Sequence, residues 1–170
     1  MIRRQVTVIG SHNDSQFLDE AYEIGRHIGV RGWTLICGGR GGIMEAASRG
    51  ASDENGIVIG ILPGNDFSEA NPHCTAIVAS GIGFARNSMN VLSGDVVVAL
   101  NGRAGTLTEL AYAYQYGKPI IICLFTGGWS SWFNKIMTAD GGSQPVYAAH
   151  SVVEARNLLD SLLKEGDTPP

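Results

Sequence analysis

Five short apolar runs rich in β-branched residues, each followed by a stretch long enough to hold a helix, constrain this chain more than any other feature. They are VTVIG (6–10), TLICGG (34–39), IVIGIL (57–62), VVVAL (96–100) and IIICLF (120–125). Near-continuous apolarity of this kind suits strands covered by helices on both faces. TAIVAS (75–80) reads as a weaker strand, and Pro145 to Ala148 as a short final one. Between the runs, Phe17, Leu18, Ala21, Ile24 and Ile28 recur at three- and four-residue spacing. That period predicts an amphipathic helix over 15–30, ended by Gly29 and Gly32. Further helices are predicted over 42–52, 83–93, 106–116 and 151–164, and the small residues of 42–52 would let that helix lie close to a sheet. Strands alternating with helices build βαβ units and a parallel sheet. The expected architecture is α/β: a single doubly wound, Rossmann-like parallel sheet flanked by helices on both faces. One domain is expected over 1–165, followed by a frayed tail over 166–170.

A chain of 170 residues can bury a core of its own. No apolar run approaches the roughly 20 residues that span a bilayer. The start, MIRRQVTVIGSHND, lacks the long apolar stretch and small-residue cleavage site of a secretory signal. The expectation is a cytoplasmic protein without a membrane partner. A formal net charge of −4 supplies no global attraction to nucleic acid, so none is expected as a partner. Cys37 and Cys123 fall inside apolar runs and read as small buried hydrophobes. With neither CxxC nor HExxH in the chain, no metal site built from protein ligands is expected.

In a doubly wound sheet, ligands bind beyond the carboxyl ends of the strands, near a switch in strand order. The strand exits therefore carry the functional signal. The first is Gly10-Ser11-His12-Asn13-Asp14, the second Gly38-Gly39-Arg40-Gly41-Gly42, and the third Asn101-Gly102-Arg103-Ala104-Gly105-Thr106-Leu107-Thr108-Glu109. Each follows a strand and opens a helix, whose N-terminus offers unpaired N–H groups and a partial positive charge to anions such as phosphate. Arg40 and Arg103 add forked donors that match phosphate oxygens. The chain has no GxxxxGK[ST], and its first turn is not GxGxxG, which argues against a P-loop nucleotidase and a classical dinucleotide site. Thr106 and Glu109 have the T-x-x-E spacing of a capping box, in which each side chain bonds a backbone N–H at the helix start; a catalytic Glu109 fits the residues equally. Arg86, in GFARNSMN, could contact a ligand or pair with a helix-surface carboxylate. Of the four histidines only His12 lies on a pocket-facing turn. Trp129, Trp132 and Phe133 read as helix packing, with base stacking left open by their position after the 120–125 strand.

These segments, VTVIGS, GGRGGIMEAASRGA, GFARN, GRAGTLTE and YGKPIII, resemble over nearly the whole chain the superfamily once labelled lysine-decarboxylase-like. It contains the LONELY GUY phosphoribohydrolases and the molybdenum cofactor carrier proteins. In the hydrolases, the glutamate of PGGxGTxxE works with an upstream arginine to cleave the base–ribose bond of a nucleoside 5′-monophosphate, and Glu109 and Arg86 match those positions. The departures are Asn101 in place of proline, Arg103 after the retained Gly102, and Ala104 in place of the second glycine. Gly83-Phe84-Ala85 replaces a Met-His-Glu type run, Asn87 replaces lysine, and Glu45 follows Met44 where glycine is usual. GGRGGIMEAASRGA and GIGFARN look closer to the carrier branch, whose members hold the pterin, its phosphate and the oxidised metal group as homo-oligomers.

The resemblance implies a non-catalytic carrier that binds, stores and protects molybdenum cofactor, with nucleotide monophosphate or molybdate as related ligands. A dimer or tetramer and molybdoenzyme clients are implied with it. The ligand-binding residues expected are Gly10, Ser11, Gly38, Gly39, Arg40, Gly41, Gly42, Met44, Arg86, Asn87, Asn101, Gly102, Arg103, Ala104, Gly105, Thr106 and Glu109. The alternative is a phosphoribohydrolase with Glu109 and Arg86 as catalytic residues.

Overall fold

A computed structural model of the chain describes residues 3–139, 141 and 145–164. Its strands are β1 (Gln5–Ile9), β2 (Thr34–Cys37), β3 (Ile57–Leu62), β4 (Ala76–Ala79), β5 (Val96–Leu100), β6 (Ile120–Cys123) and β7 (Val146–Ala149). Its α-helices are α1 (Leu18–Val30), α2 (Ile43–Asp53), α3 (Arg86–Ser93), α4 (Ala104–Gln115), α5 (Gly128–Ala139) and α6 (Val152–Leu162). All the strands pair in parallel, in the order β4-β3-β2-β1-β5-β6-β7. This is the expected Rossmann-like α/β sheet.

The apolar strands feed two cores, one on each face. Val6, Val8, Leu35, Val98 and Ile121 pack with the buried faces of α1, α2 and α6. Their sequence neighbours Ile9, Val97, Ala99, Ile120 and Ile122 pack with Val91 of α3, Leu110 of α4 and Phe133 of α5. Every residue of β2, β5 and β6 is buried. The strand alternation is therefore real but invisible in the sequence, because both faces of the strand need apolar side chains. At the edge, β4 alternates exposed and half-buried positions, which is why TAIVAS carried the weaker signal.

Several boundaries move. The first helix begins at Leu18, not 15, because Phe17 takes a left-handed conformation at φ 60°. Gly83–Ala85 form one 3₁₀ turn before α3, and Leu124–Thr126 form another where the apolar run 120–125 leaves the sheet. The helix expected from 106 starts two residues earlier, at Ala104. The small residues of α2 serve α1 as well as the sheet: a Cβ at Gly50 would strike the Tyr22 carbonyl, and one at Gly25 the Ala47 carbonyl. Phe133 packs as expected, edge-on to Tyr114 at 6.2 Å between ring centroids. Trp129 and Trp132 instead stand partly in solvent, stacked on each other at 6.5 Å. The tail 166–170 lies outside the described residues.

Candidate functional site

Strand order reverses between β1 and β5, because the chain runs outward from β1 through β2 to β4 and then returns to β5 on the other side. The three glycine-bearing turns leave the adjacent strands β2, β1 and β5, so they meet at one end of the sheet.

The first two turns are tied together by backbone. Gly42 is the N-cap of α2 at φ 62°, and a Cβ there would collide with the Ser11 carbonyl oxygen. That carbonyl also accepts from Ile43 N at 3.3 Å. Glycine is required at Gly42 both for its positive φ and for this close passage. Beneath the turn, buried Asn71 donates to it twice, from its backbone N to Gly39 O at 2.8 Å and from Nδ2 to Arg40 O at 3.1 Å. The Arg40 guanidinium reaches Glu69 at 2.9 Å. A Cβ on Gly38 would lie 2.7 Å from Arg86 Nη2 and 2.7 Å from Met44 Sδ, so the second turn rests on the Arg86 side chain.

The third turn is held from α5 and the 3₁₀ turn before it. Asn101, at φ 48°, donates its N–H to Thr126 Oγ1 at 2.7 Å, and its carbonyl accepts from Ser130 N at 3.2 Å. Gly102 follows at φ 88°. Arg103 is the extended N-cap of α4 and supplies no side-chain cap. The N–H groups of Ala104, Gly105 and Thr106 thus stand at an uncapped helix start, where the aligned peptide dipoles favour an anion. Asn101, Gly102 and Arg103 share a cleft of about 400 Å³ with Asn13, Asp14, Gln16 and Trp129.

Glu109 settles against α3. Arg86 and Asn90 are four residues apart on one face of that helix, and both point at Glu109 Oε1. Arg86 Nη1 lies at 3.4 Å and Asn90 Nδ2 at 2.9 Å. Arg86 Nη1 also donates to Asn87 Oδ1 at 3.0 Å. All four residues are buried. Loss of water pushes the Glu109 carboxyl up to about 7, against the opposing pull of the Asn90 hydrogen bond and the Arg86 charge. Burial likewise holds Arg86 below the usual guanidinium value, with Glu109 acting in the other direction. Arg86 Nε is buried with no acceptor in the protein.

The capping-box reading of Thr106 and Glu109 is overturned. Because α4 begins at Ala104, Thr106 already lies inside the first turn, and Glu109 faces α3 instead of the helix start. A helix start of that type does occur at α6, where Ser151 accepts from Glu154 N at 3.1 Å and Glu154 accepts from His150 N at 2.8 Å.

The His12 imidazole is held below its ordinary value by partial loss of water and then by the charges of Arg40, Arg103 and Arg86, with Glu69 opposing. The sequence named these groups on separate segments, two strand exits, a third exit and a helix; the fold brings those segments to one end of the sheet. Of the expected residues, Met44 is the one drawn into the core, where its sulfur backs Gly38. Sequence reasoning missed Asn71, Asn90 and the Gln16 wall of the cleft. Asn90 had a legible signal, since it follows Arg86 by one helical turn. Among the described residues, no group of three or more His, Cys, Asp or Glu could hold a metal ion, and no helix is long and apolar enough to cross a membrane.

The fold and this arrangement define a class: a doubly wound, Rossmann-like α/β protein with arginine-bearing glycine turns at the switch point. Within that class, the SLOG cluster4 family model matches residues 3–155, and the chain belongs to this family. The molybdenum cofactor binding protein of the phototrophic bacterium Rippkaea orientalis is similar to it at 33% identity and a TM-score of 0.86, covering 96% of this chain and 99% of that one. The molybdenum cofactor carrier protein of Chlamydomonas reinhardtii is 31% identical with a TM-score of 0.83, over 96% and 99% of the two chains. A cytokinin riboside 5′-monophosphate phosphoribohydrolase of Mycobacterium tuberculosis is 28% identical over 164 residues, 89% of this chain and 87% of that protein. The resemblance to the carrier branch, drawn from GGRGGIMEAASRGA and GFARN, is borne out by these structures.

Proposed function

We propose that this chain binds, stores and protects molybdenum cofactor, a phosphorylated pterin with an oxidised metal group, without turning it over. The observation that carries the reading is that the turns bearing Arg40 and Arg103 leave the strands on either side of β1, at the helix starts of α2 and α4, with the Arg86 guanidinium against Gly38. Two arginine-bearing turns at two helix starts supply donors for two anionic groups, which suits a phosphate together with a metal-oxo group. The buried Arg86 Nε, lacking an acceptor, fits an anionic ligand oxygen. In this reading Gly102 to Thr106 take the phosphate, and Gly39 to Gly42 with Arg40 take the oxidised group. Gly10, Ser11, Gly38, Asn87 and Asn101 line the contact, while Met44 and Glu109 back the turns and Arg86. The similarity to the two molybdenum cofactor proteins supports the same ligand; a cytoplasmic place and handover to molybdoenzyme clients belong to the same proposal.

Calorimetry with molybdenum cofactor and with molybdate, alongside metal analysis, tests it. Binding by the wild type and a loss of tenfold or more in Arg40→Ala plus Arg103→Ala are expected, since each charge-assisted contact contributes about 1.5–3 kcal/mol. No binding by the wild type, or undiminished binding by the double variant, overturns the reading.

A second reading is favoured by one contact, that between Arg86 and Glu109. A buried carboxyl near pH 7 beside an arginine is the kind of group that activates water or stabilises a ribosyl cation. Incubation with adenosine monophosphate and chromatography for free adenine separates the two readings. Release that vanishes in Glu109→Ala favours the hydrolase; no release across several nucleotides favours the carrier.

A further inference from the structure

We propose that the cleft beside Arg103 receives the ring end of the ligand, and that Asp14 recognises there a ring N–H next to an exocyclic amino group. That edge belongs to a 2-amino-4-oxopyrimidine, the ring shared by pterins and guanine. The inference rests on the reading above for the anionic end and deepens it.

Asp14 lines the cleft, and its Oδ2 is shut off from water without a hydrogen-bond donor in the protein. Such an acceptor is costly unless a donor arrives. The residue is only half-buried, and the terminal torsion of aspartate is soft, so a small swivel presents both carboxylate oxygens to the cleft. Two adjacent N–H donors then meet two oxygens as parallel bonds, the strongest neutral-to-charged arrangement available. Adenine offers an amino group beside a bare ring nitrogen, whose lone pair faces the second oxygen. Hypoxanthine offers the ring N–H but no amino group.

The rest of the cleft fits a flat polar ring. Trp129 is held in plane by its stack on Trp132 and gives an aromatic wall. Asn13, Gln16 and Asn101 bring amides that can donate to a ring carbonyl or accept from a ring N–H. A volume of about 400 Å³ accommodates a bicyclic ring. Arg103, on the same wall as the start of α4, keeps the phosphate end within one small ligand's length.

The test is calorimetric titration of the full chain with guanosine monophosphate, inosine monophosphate, adenosine monophosphate, a 6-substituted pterin monophosphate and inorganic phosphate. Unphosphorylated guanosine and inosine report the ring end alone. The wild type is expected to bind the guanine and pterin phosphates about tenfold or more tighter than the inosine and adenosine ones. In Asp14→Asn, which keeps shape but replaces one acceptor by a donor, that preference is lost while inorganic phosphate binds as before. Equal affinity for guanosine and inosine monophosphates, or a preference that survives Asp14→Asn, overturns the assignment. Phosphate binding without ring preference overturns Asp14 alone and leaves the anion site standing. Preference for guanosine over inosine without phosphate binding does the reverse.

Discussion

Glu109 has exchanged water for one amide and one guanidinium, and its chemistry follows from that exchange. Its folded value of about 7 lies above the ordinary glutamate value near 4.3, so between these limits the folded chain holds a proton that the unfolded chain releases. The contribution of Glu109 to stability is then most favourable below this window and declines as pH rises through it. Urea unfolding of the wild type and Glu109→Gln, from about pH 5 to about pH 8, should show the variant gaining relative stability with rising pH, by roughly 1–3 kcal/mol across the range. Parallel curves for the two proteins would refute this. Arg86 and Glu109 were both legible as site residues, but their meeting was not. The two lie 23 positions apart on different helices, and no local pattern encodes that contact.

At the scale of elements, the same four-residue spacing ends in two different structures. T-x-x-E at Thr106 is drawn inside α4 because Arg86 and Asn90 compete for its glutamate, whereas S-x-x-E at Ser151 has no such competitor and caps α6. Ser151→Ala should cost about 1 kcal/mol in chemical denaturation, while Thr106→Ala should show no cap loss of that kind. Helix α2 gives a second case. Gly50→Ala raises helix propensity by up to about 1 kcal/mol in isolation. Here the added Cβ meets the Tyr22 carbonyl of α1, so the variant should melt below the wild type. The sequence marked α2 as a helix of small residues; that they serve a neighbouring helix depends on where α1 lies.

Over the whole molecule, the outer surface near α3 and α4 exposes Ile82, Phe84, Leu92 and Tyr116, with Phe84 at 78%. Exposed large apolar side chains favour self-association, the state that the family resemblance implies. Sedimentation should detect a species larger than the monomer, and Phe84→Asp with Leu92→Asp should shift it towards the monomer; an unchanged distribution would exclude this surface. What the sequence determined alone was local: β-branched runs and periodic helices force a parallel sheet with covered faces, and glycine turns mark where its strands release the chain. What only the tertiary structure decided was company. The turns bearing Arg40 and Arg103 share one end of the sheet because β1 lies between β2 and β5, and Glu109 finds α3 across the fold. Strand order is a property of the packed sheet, set by long-range pairing, so the partners at its ends cannot be read from residues a few positions apart.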